Sequence, residues 1–235
     1  MKRHLKRLAA PATWDVKRRS TKFVARPFPC GHPMDMCISL NVFMKEIAGY
    51  AKTTKEVKTI LQNKHILVNG RRRKDHRSAV GFLDVVEVGD ANETVRIILD
   101  KRGKIVYIKV PAKEAALKIC KIIGKSVIRG NKLQLHLNDG QNFFITSTEK
   151  YKVGDSIVVD IKNNKIVDHL PFHDHATVFM FAGKQIGHIG KIMSIDSEKV
   201  AIKLENGNEY KTKKETLFVV GKEHPAVTVN IKETT

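Results

Sequence analysis

Residues 53–74, with the sequence TTKEVKTILQNKHILVNGRRRK, contain the pattern that decides the fold of the first half of the chain. Thr53 predicts the start of a helix, because its hydroxyl can accept a hydrogen bond from an open backbone amide of the first turn. Glu56 stands three residues later and completes a capping box. Asn63 is the predicted left-handed stop of this helix. The buried stripe is predicted from three apolar residues at helical spacing, Val57, Ile60 and Leu61.

A short strand at residues 65–68 and a tight turn at Asn69-Gly70 are predicted directly after the helix. Asn followed by Gly is the strongest short hairpin signal, since both residues tolerate a positive φ. A hairpin tip projects from its domain, so we expect the cations that follow the turn to reach a nucleic-acid backbone or groove. These cations are four consecutive residues, Arg71, Arg72, Arg73 and Lys74. The turn residues Asn69 and Gly70 are predicted to contact RNA together with them.

The residues around the hairpin extend this prediction to a small α+β module over residues 37–89. Further cations are expected to share the face of the hairpin, namely Lys52, Lys55, Lys64 and Arg77. The start of the helix near Thr53 would add open amides that favour a phosphate. Downstream, residues 83–88 predict a strand. Upstream, an earlier helix is predicted from apolar residues at i, i+3, i+4 and i+7, which are Leu40, Phe43, Met44 and Ile47.

Residues 1–36 do not have the pattern of a domain and are predicted to be a basic extended arm. They contain nine lysines and arginines against two aspartates, and four prolines interrupt any long helix. Such a segment is poorly able to fold alone, so we expect it to fold as it threads into RNA, with Trp14 stacking on a base. The predicted RNA contacts of the arm are Lys2, Arg3, Lys6, Arg7, Trp14, Lys17, Arg18, Arg19 and Arg26.

The remainder of the chain has the pattern of β structure. Residues 90–168 are predicted to be a central β-rich domain, and residues 169–235 a second β module with the C-terminal segment. Residues 112–120 are rich in Ala, Lys and Leu and predict one short helix. Strands are predicted near 95–99, 104–110, 133–137, 142–146, 156–161, 165–169, 177–181, 190–195, 199–204, 209–212 and 216–220.

Three glycines in the last module predict a sharply bent loop. Gly183, Gly187 and Gly190 permit a tight bend or the close approach of another backbone. Their spacing matches neither a P-loop nor a dinucleotide-binding motif. The predicted RNA contacts of this module lie among and beside these glycines, at Lys184, His188 and Lys191.

The charge of the chain points to a polyanionic partner. There are 43 lysines and arginines against 24 aspartates and glutamates, which gives a net charge of +19. Such an excess repels itself in isolation and becomes useful beside RNA, because each neutralised phosphate releases counterions. The first 88 residues hold 19 of the basic residues but only seven of the acidic ones, so the main RNA contacts are predicted there. An acidic membrane surface would also suit this charge, but we expect no membrane partner. The apolar stretches fall short of the roughly 20 residues that span a bilayer, and no signal peptide is visible.

No catalytic or metal-binding pattern stands out. Neither a nucleophile elbow, G-x-S-x-G, nor an H-E-x-x-H motif is present. We therefore expect no cofactor, no metal and no small-molecule substrate. The histidines at His169, His173 and His175 are interpreted as polar loop residues. The spacing of the cysteines is irregular and predicts reduced thiols in a cytosolic protein rather than a zinc site, for Cys30, Cys37 and Cys120.

The order of these motifs resembles one known family. Residues 6–11 (KRLAAP), followed by Trp14, resemble the opening of the ribosomal protein S4e family of archaea and eukaryotes. Residues 53–74 resemble an S4-type RNA-binding domain, whose mark is a capped helix, a short strand and V-N-G. Residues 183–191 resemble a KOW motif, which is a bent loop of a small SH3-like barrel. Residues 218–222 (FVVGK) resemble the C-terminal region of the family, so the match covers essentially the whole chain in the same order.

The resemblance implies a modular α+β fold with a basic N-terminal arm, an S4-type domain, a central β domain and a C-terminal SH3-like barrel. It implies a non-catalytic constituent of the small ribosomal subunit that binds ribosomal RNA and supports translation in the cytoplasm. Neighbouring small-subunit proteins would be its other partners. Lys55 departs from the family pattern, in which an arginine commonly follows the capping threonine. The end of the chain soon after the KOW-like segment is more similar to archaeal than to eukaryotic members.

Two other classes of protein remain open at this stage. One is a KOW-containing transcription elongation factor or a free RNA chaperone, which would associate with polymerase or bind subunits substoichiometrically. The other is an RNA-modifying enzyme with an appended S4-type domain. Such an enzyme would need a cluster of acid, base or nucleophile within residues 90–168, where the sequence shows none.

Overall fold

The structure is a computed structural model that describes residues 4–89, 93–130, 132–145, 151–196, 199–204 and 206–229. These residues form mostly antiparallel β-sheet with few helices. The chain divides into two compact units. The first consists of Met1–Leu99 and Gly103–Ala116, and the second of Asp100–Arg102 and Leu117–Thr235. In the described part of the chain, no helix is both long enough and apolar enough to cross a membrane.

The first unit combines short helices with one main sheet. Its helices are α1 (Leu40–Val42), which continues as a π-helical turn over Phe43–Ile47, then α2 (Thr54–Asn63) and α3 (Ala112–Ala115). Its strands are β1 (Leu5–Lys6), β2 (Phe23–Val24), β3 (Cys37–Ser39), β4 (Ile66–Val68), β5 (Arg71–Arg72), β6 (Ala79–Gly81), β7 (Val85–Val88), β8 (Glu93–Leu99) and β9 (Ile105–Lys109). The main sheet has the antiparallel order β5-β4-β7-β8-β9, while β1 pairs with β2 and β3 pairs with β6.

The second unit contains two five-stranded antiparallel sheets. Its strands are β10 (Leu117–Ile128), β11 (Lys132–Leu137), β12 (Asn142–Ile145), β13 (Ser156–Asp160), β14 (Lys165–Leu170), β15 (Thr177–Met180), β16 (Ile189–Ile195), β17 (Lys199–Leu204), β18 (Glu209–Lys213) and β19 (Leu217–Gly221). The sheet orders are β12-β11-β10-β13-β14 and β18-β17-β16-β15-β19. In the second sheet the last strand thus returns beside the first.

The helix predicted at residue 53 is confirmed together with its capping box. Thr53 Oγ1 accepts a hydrogen bond from Glu56 N at 3.2 Å, and Glu56 Oε2 accepts one from Thr53 N at 3.4 Å. The prediction of a left-handed stop at Asn63 is wrong. Asn63 is helical and Lys64 is already extended, with φ −105° and ψ 150°. Because the chain passes directly from α2 into β4, no reversal is needed at this position.

The main sheet of the first unit crosses the boundary that the sequence predicts at residue 90. Val85 lies opposite Arg96, and Val88 lies opposite Glu93, where β7 pairs with β8. Strands β8 and β9 therefore extend the sheet that begins at the basic hairpin instead of opening a separate domain. The sequence identifies each strand from its own apolar run, but the choice of partner depends on packing between distant segments.

The helix predicted over residues 112–120 is much shorter than expected. Only Ala112–Ala115 is helical, and from Leu117 onward the chain forms β10. The first half of β10 pairs with β13, so that Ile119 lies opposite Val158 and Cys120 opposite Ile157. Cys120 and Ile157 both belong to the buried core of the first sheet of the second unit. The gain from this pairing and burial exceeds the modest helical preference of the segment.

The N-terminal arm is packed onto the first unit, which corrects the prediction that it cannot fold without RNA. Trp14 is 0% exposed, and its Nε1 donates a hydrogen bond to Cys37 O at 2.9 Å. Ile105 N donates to Thr13 O at 2.7 Å, which ties the arm to the first residue of β9. The low average hydrophobicity of the arm hides this outcome, because only a few of its side chains are buried, and Trp14 is the largest of them.

Trp14 gives a direct test of this packing, since it is the only tryptophan of the chain. We expect the chain without RNA to have the blue-shifted emission of a buried indole and to resist quenching by iodide. Trp14→Ala should lower the free energy of unfolding by about 3–5 kcal/mol, measured by urea denaturation followed by circular dichroism. The control is Leu8→Ala, at a side chain that is 72% exposed, where a change within about 0.5 kcal/mol is expected. An emission typical of exposed indole that shifts only when RNA is added would contradict the packed arm.

Candidate nucleic-acid interface

The predicted hairpin is confirmed, and two buried residues, Asp84 and Val85, form hydrogen bonds with its tip. Asn69 and Gly70 have φ values of 50° and 68°, as the tight turn requires. Asn69 Nδ2 donates to Asp84 Oδ1 at 2.8 Å, and Asn69 Oδ1 accepts from Val85 N at 3.0 Å. The side chain of Asn69 therefore positions the turn, and both of its polar atoms bond within the protein, which argues against the predicted contact of this side chain with RNA.

The cations after the turn divide into two groups. Arg72 donates from its guanidinium to Gln62 O at 3.1 Å, which fastens β5 to the end of α2. Arg71, Arg73 and Lys74 are exposed, and no described carboxylate forms an ion pair with them. These three cations are the part of the hairpin that is best placed to meet phosphates.

The start of α2 differs from the predicted phosphate site. Glu56 Oε2 accepts from Lys52 N at 2.8 Å as well as from Thr53 N, and Thr53 Oγ1 donates to Glu56 Oε1 at 2.9 Å. These hydrogen bonds lower the pKa of the Glu56 carboxyl below its usual range, so the carboxylate is charged at neutral pH. The Glu56 carboxylate thus takes up the N–H groups of Lys52 and Thr53 and places a negative charge at this helix end, which disfavours a phosphate there. The contact of Thr53 with RNA stays a prediction. Lys52 and Lys55 remain exposed beside it.

Arg77 lies on the other side of the hairpin and is committed mainly to the arm. Its Nε donates to Arg26 O at 3.0 Å, and its guanidinium lies 4.6 Å from the centre of the Phe28 ring. Arg26, Lys64 and Arg77 are all half-buried. Arg77 thus joins Arg26 and Phe28 of the arm to the loop after the hairpin, and its guanidinium is already engaged within the protein.

Several predicted contacts of the arm are structural residues. Arg7 is 4% exposed and donates to Glu46 Oε1 at 2.9 Å, to Lys17 O and to Thr21 Oγ1 at 3.0 Å each. Arg18 donates to backbone carbonyls of the arm, including Leu8 O at 3.1 Å. The predictions that Arg7 binds RNA and that Trp14 stacks on a base are corrected, because both side chains are buried.

The rest of the predicted contacts in the arm remain accessible or fall outside the structure. Lys6, Lys17 and Arg19 are exposed, as the RNA-binding prediction requires. Lys2 and Arg3 lie outside the described residues. The arm therefore presents several exposed cations, while the guanidinium groups of Arg7 and Arg18 bond within the protein.

The glycine-rich loop of the second unit has the bent geometry that the sequence predicts. Gly183 and Gly187 have φ values of 94° and 80°, which favour glycine. A Cβ on Gly190 would lie 2.6 Å from Ile202 Cγ2 and 2.8 Å from Lys203 O, so this residue permits the close approach of β17. The flanking Lys184 and Lys191 are exposed, and His188 is half-buried.

The histidines near residue 170 are part of a hydrogen-bonded corner. His169 Nε2 and Asp155 Oδ2 lie 2.8 Å apart, and Asp155 Oδ1 accepts from Phe172 N at 2.9 Å. His173 Nδ1 lies 2.6 Å from Asp174 O. Among the described residues, no group of three or more histidines, cysteines and carboxylates is arranged to hold a metal ion.

The cysteines of the described chain are free thiols. Cys30 is exposed and accepts a hydrogen bond from Cys37, which lowers the pKa of the Cys30 thiol to about 6 and raises the pKa of Cys37. His32 Nε2 lies 3.5 Å from Asp84 Oδ1 beside them. This cluster packs the end of the arm against the loop between β6 and β7.

The sequence reasoning missed Asp84, which connects these parts of the first unit. Its carboxylate meets Asn69 Nδ2, His32 Nε2 and the backbone N–H of Gly81, the last at 2.6 Å. The available signal was the lone acidic residue within the apolar segment FLDVV at residues 82–86. Aspartate is rarely buried without partners, so its position predicted an internal role.

Comparisons with known proteins find similar sequences along nearly the whole chain. A family profile described as Ribosomal family S4e matches residues 91–166, and one described as the RS4NT (NUC023) domain matches residues 1–35. The chain is 39% identical to small ribosomal subunit protein eS4 of Methanocaldococcus jannaschii, over 96% of this chain and 97% of the relative. It is 34% identical to the protein of that name from Methanococcus aeolicus, over 97% and 98% of the two chains.

A solved structure is similar as well. The crystal structure of the 30S ribosomal protein S4e from Thermoplasma acidophilum aligns with a TM-score of 0.69 and 25% identity. The alignment covers 80% of this chain and 96% of that chain. The similarity thus extends over both sequence and fold.

The division of the arm into structural and exposed cations can be tested by a matched pair of variants. Arg7→Gln should lower the free energy of unfolding by about 2–4 kcal/mol, because it leaves Glu46 in a mostly buried site without its charged partner. Arg19→Gln removes the same charge at an exposed position and should leave the unfolding midpoint within about 0.5 kcal/mol of the parent. Urea denaturation of both variants without RNA measures the difference. Equal stability of the two variants would show that the buried ion pair does not hold the arm.

Proposed function

The chain belongs to the ribosomal S4e family, and on that premise we propose that it binds small-subunit ribosomal RNA mainly through the basic hairpin of its first unit. The relatives that it matches over nearly their full length are small ribosomal subunit proteins, so its role is that of a structural constituent of the ribosome. The observation that carries the proposed site is the exposure of Arg71, Arg73 and Lys74 beside a turn that is held in place by hydrogen bonds between Asn69 and both Asp84 and Val85.

The proposed mechanism is binding at several points to one folded polyanion. The hairpin cations meet phosphates of structured RNA, and the accessible cations of the arm and of the start of α2 add further contacts. Phosphate contacts of this kind fix position and orientation without reading bases. Engagement of about 6–10 phosphates lowers the affinity roughly 10³–10⁵-fold between roughly 50 and 200 mM salt. The cations that take part outside the hairpin are Lys6, Lys17, Arg19, Lys52 and Lys55.

The second unit provides a further contact in this proposal. Its C-terminal sheet, with the last strand beside the first, is assigned to the SH3-like barrel, and the bent segment at residues 183–191 to its KOW loop. Lys184 and Lys191 are the accessible cations of that loop, with His188 beside them. Neighbouring small-subunit proteins are proposed as the other partners, within ribosomes of the cytoplasm.

A non-catalytic role is part of the proposal and is supported by the family and by the use of the polar groups. The carboxylate of Asp155 is engaged by His169 and by backbone N–H groups of a loop corner, which is a structural arrangement. An RNA-modifying enzyme is the competing class, and turnover of ribosomal RNA by the purified chain would favour it. A transcription elongation factor is the other, and it would sediment with polymerase rather than with small subunits.

The hairpin is tested by neutralising its two arginines whose side chains form no hydrogen bond or ion pair with the described residues. The double variant Arg71→Gln and Arg73→Gln should bind small-subunit RNA more weakly and reduce the slope of log K against log salt by about 2, or about 1 for each lost phosphate contact. Arg72 is left unchanged, because its hydrogen bond to Gln62 O supports β5. Filter binding at several salt concentrations measures affinity and slope, and circular dichroism checks the fold.

The control for this experiment removes two charges from a different surface. Lys162 and Lys165 are exposed near the turn between β13 and β14 of the second unit. The double variant Lys162→Gln and Lys165→Gln carries the same net charge as the hairpin variant and should retain most of the affinity and of the salt slope. If the two double variants weaken binding equally, only net charge matters and the hairpin is not the site. A nearly flat salt dependence of the parent chain would contradict the mechanism altogether.

A further inference from the structure

The first unit contains a cavity of about 330 Å³ between the arm and the helical segment that follows it. Residues from four parts of the unit form its walls: the arm, α1 with its π-helical turn, the start of α2 and the loop after the hairpin. A volume of this size lies at the lower end of the range of small-ligand pockets, which is about 300–1,000 Å³. The lining residues used below are Arg7, Phe23, Asn41, Lys45, Glu46 and His76.

Asn41 is the unusual residue of this wall. It is 6% exposed, and its Oδ1 atom is buried without a hydrogen-bond partner. Its backbone N–H donates to His76 O at 2.8 Å, so the residue is held firmly between α1 and the loop after the hairpin. Buried polar groups in native proteins nearly always have partners. An acceptor that is unpartnered and enclosed in the wall of a cavity points to a donor supplied by a ligand, which reaches it once the Asn41 side chain turns toward the cavity.

The charges around the cavity favour an uncharged ligand inside it. Arg7 and Glu46 form an ion pair with each other at 2.9 Å, so this part of the wall is nearly neutral. Burial lowers the pKa of His76, which leaves the imidazole uncharged at neutral pH. A phosphate inside the cavity would find the guanidinium of Arg7 already engaged by Glu46, whereas a planar polar group such as a nucleobase needs no free charge there.

The edge of the cavity offers an aromatic ring and positive charge. Phe23 is 49% exposed, and the Nζ of Lys22 lies 5.6 Å from the centre of its ring. Lys45 is half-buried in the wall. Lys74 of the hairpin precedes His76 by only two residues, or at most about 7 Å of extended chain. An RNA backbone held at the hairpin therefore passes close to the mouth of the cavity.

We propose that this cavity receives one base turned out of the small-subunit RNA, with a base N–H donating to Asn41 Oδ1. Proteins that read RNA in this way take unstacked bases from loops and bulges, stack them on aromatic rings and bond to their edges. Phe23 and His76 supply the rings, and Lys45 with Lys74 supplies the charge for the flanking phosphates. The inference rests on the proposed function, since it names a subsite for the same RNA, and it gives the chain one contact that depends on a base.

The test compares the parent chain with Asn41→Leu, which has a similar volume but no acceptor. Removal of one hydrogen bond to the base should weaken binding to small-subunit RNA by about 2–10-fold. The salt slope should stay the same, because no phosphate contact is lost. This combination distinguishes the cavity from the hairpin, where affinity and slope fall together. Filter binding of the full chain over a salt series provides both numbers, and Asn41→Ala replaces the leucine variant if that variant does not fold.

A matched control removes a comparable group from the other unit. Ser156 is 0% exposed, and its Oγ atom is also buried without a partner. Ser156→Ala should leave both the affinity and the salt slope unchanged. Ultraviolet crosslinking of the complex, followed by mass spectrometry, should place a nucleotide on the peptides that contain Phe23 or His76, and Asn41→Leu should reduce this product.

The outcomes separate this inference from the proposed function. If the parent chain binds RNA and Asn41→Leu binds equally well, the cavity holds no base and the inference is overturned while the function stands. A loss of affinity accompanied by a smaller salt slope would mean that a phosphate occupies the cavity, which also overturns it. Failure of the parent chain to bind small-subunit RNA at all would remove the proposed function first.

Discussion

The buried carboxylate of Asp84 is the constraint on which the first unit depends. Burial of a charge is strongly unfavourable unless hydrogen bonds replace its water. Here the replacement comes from Asn69, Gly81 and His32, which belong to the hairpin tip, to β6 and to the end of the arm. Because one carboxylate must satisfy all three, the three segments are fixed relative to one another. The rigid display of the hairpin cations is a consequence of this internal bonding.

Residues of the same type serve opposite purposes in this chain, and burial decides which purpose applies. Arg7 is buried, paired with Glu46 and hydrogen-bonded to the carbonyl of Lys17, so its charge stabilises the fold. Arg71 is exposed beside a turn, so its charge is directed outward. The number of basic residues in the chain therefore does not equal the number of its RNA contacts. The surplus of positive charge identifies the kind of partner, and the internal hydrogen bonds determine which cations can reach it.

The features that the sequence predicted well are those governed by neighbours in the chain. The capping box of Thr53 and Glu56 and the Asn69-Gly70 turn depend on residues only one to three positions apart, so their geometry follows from local chemistry. The features that it missed depend on distant partners. Trp14 is buried because Cys37 accepts its N–H, and residues 117–120 form a strand because β13 lies beside them. Likewise, no residue close to Asn41 in sequence predicts the cavity, because the arm that forms part of its wall lies far from Asn41 in the chain.

The packed arm changes how the energy of RNA binding is distributed. A disordered arm would have to lose its conformational freedom on binding, and that loss would offset part of each phosphate contact. In the observed structure the arm is already fixed by folding. Its contacts are the buried Trp14, the ion pair of Arg7 and the hydrogen bond from Ile105 N to Thr13 O. The opposing term is repulsion among exposed cations, which a compact arm brings closer together than a loose one. Phosphates neutralise these cations and remove the repulsion. The arrangement that is electrostatically unfavourable in the isolated chain therefore increases its affinity for RNA.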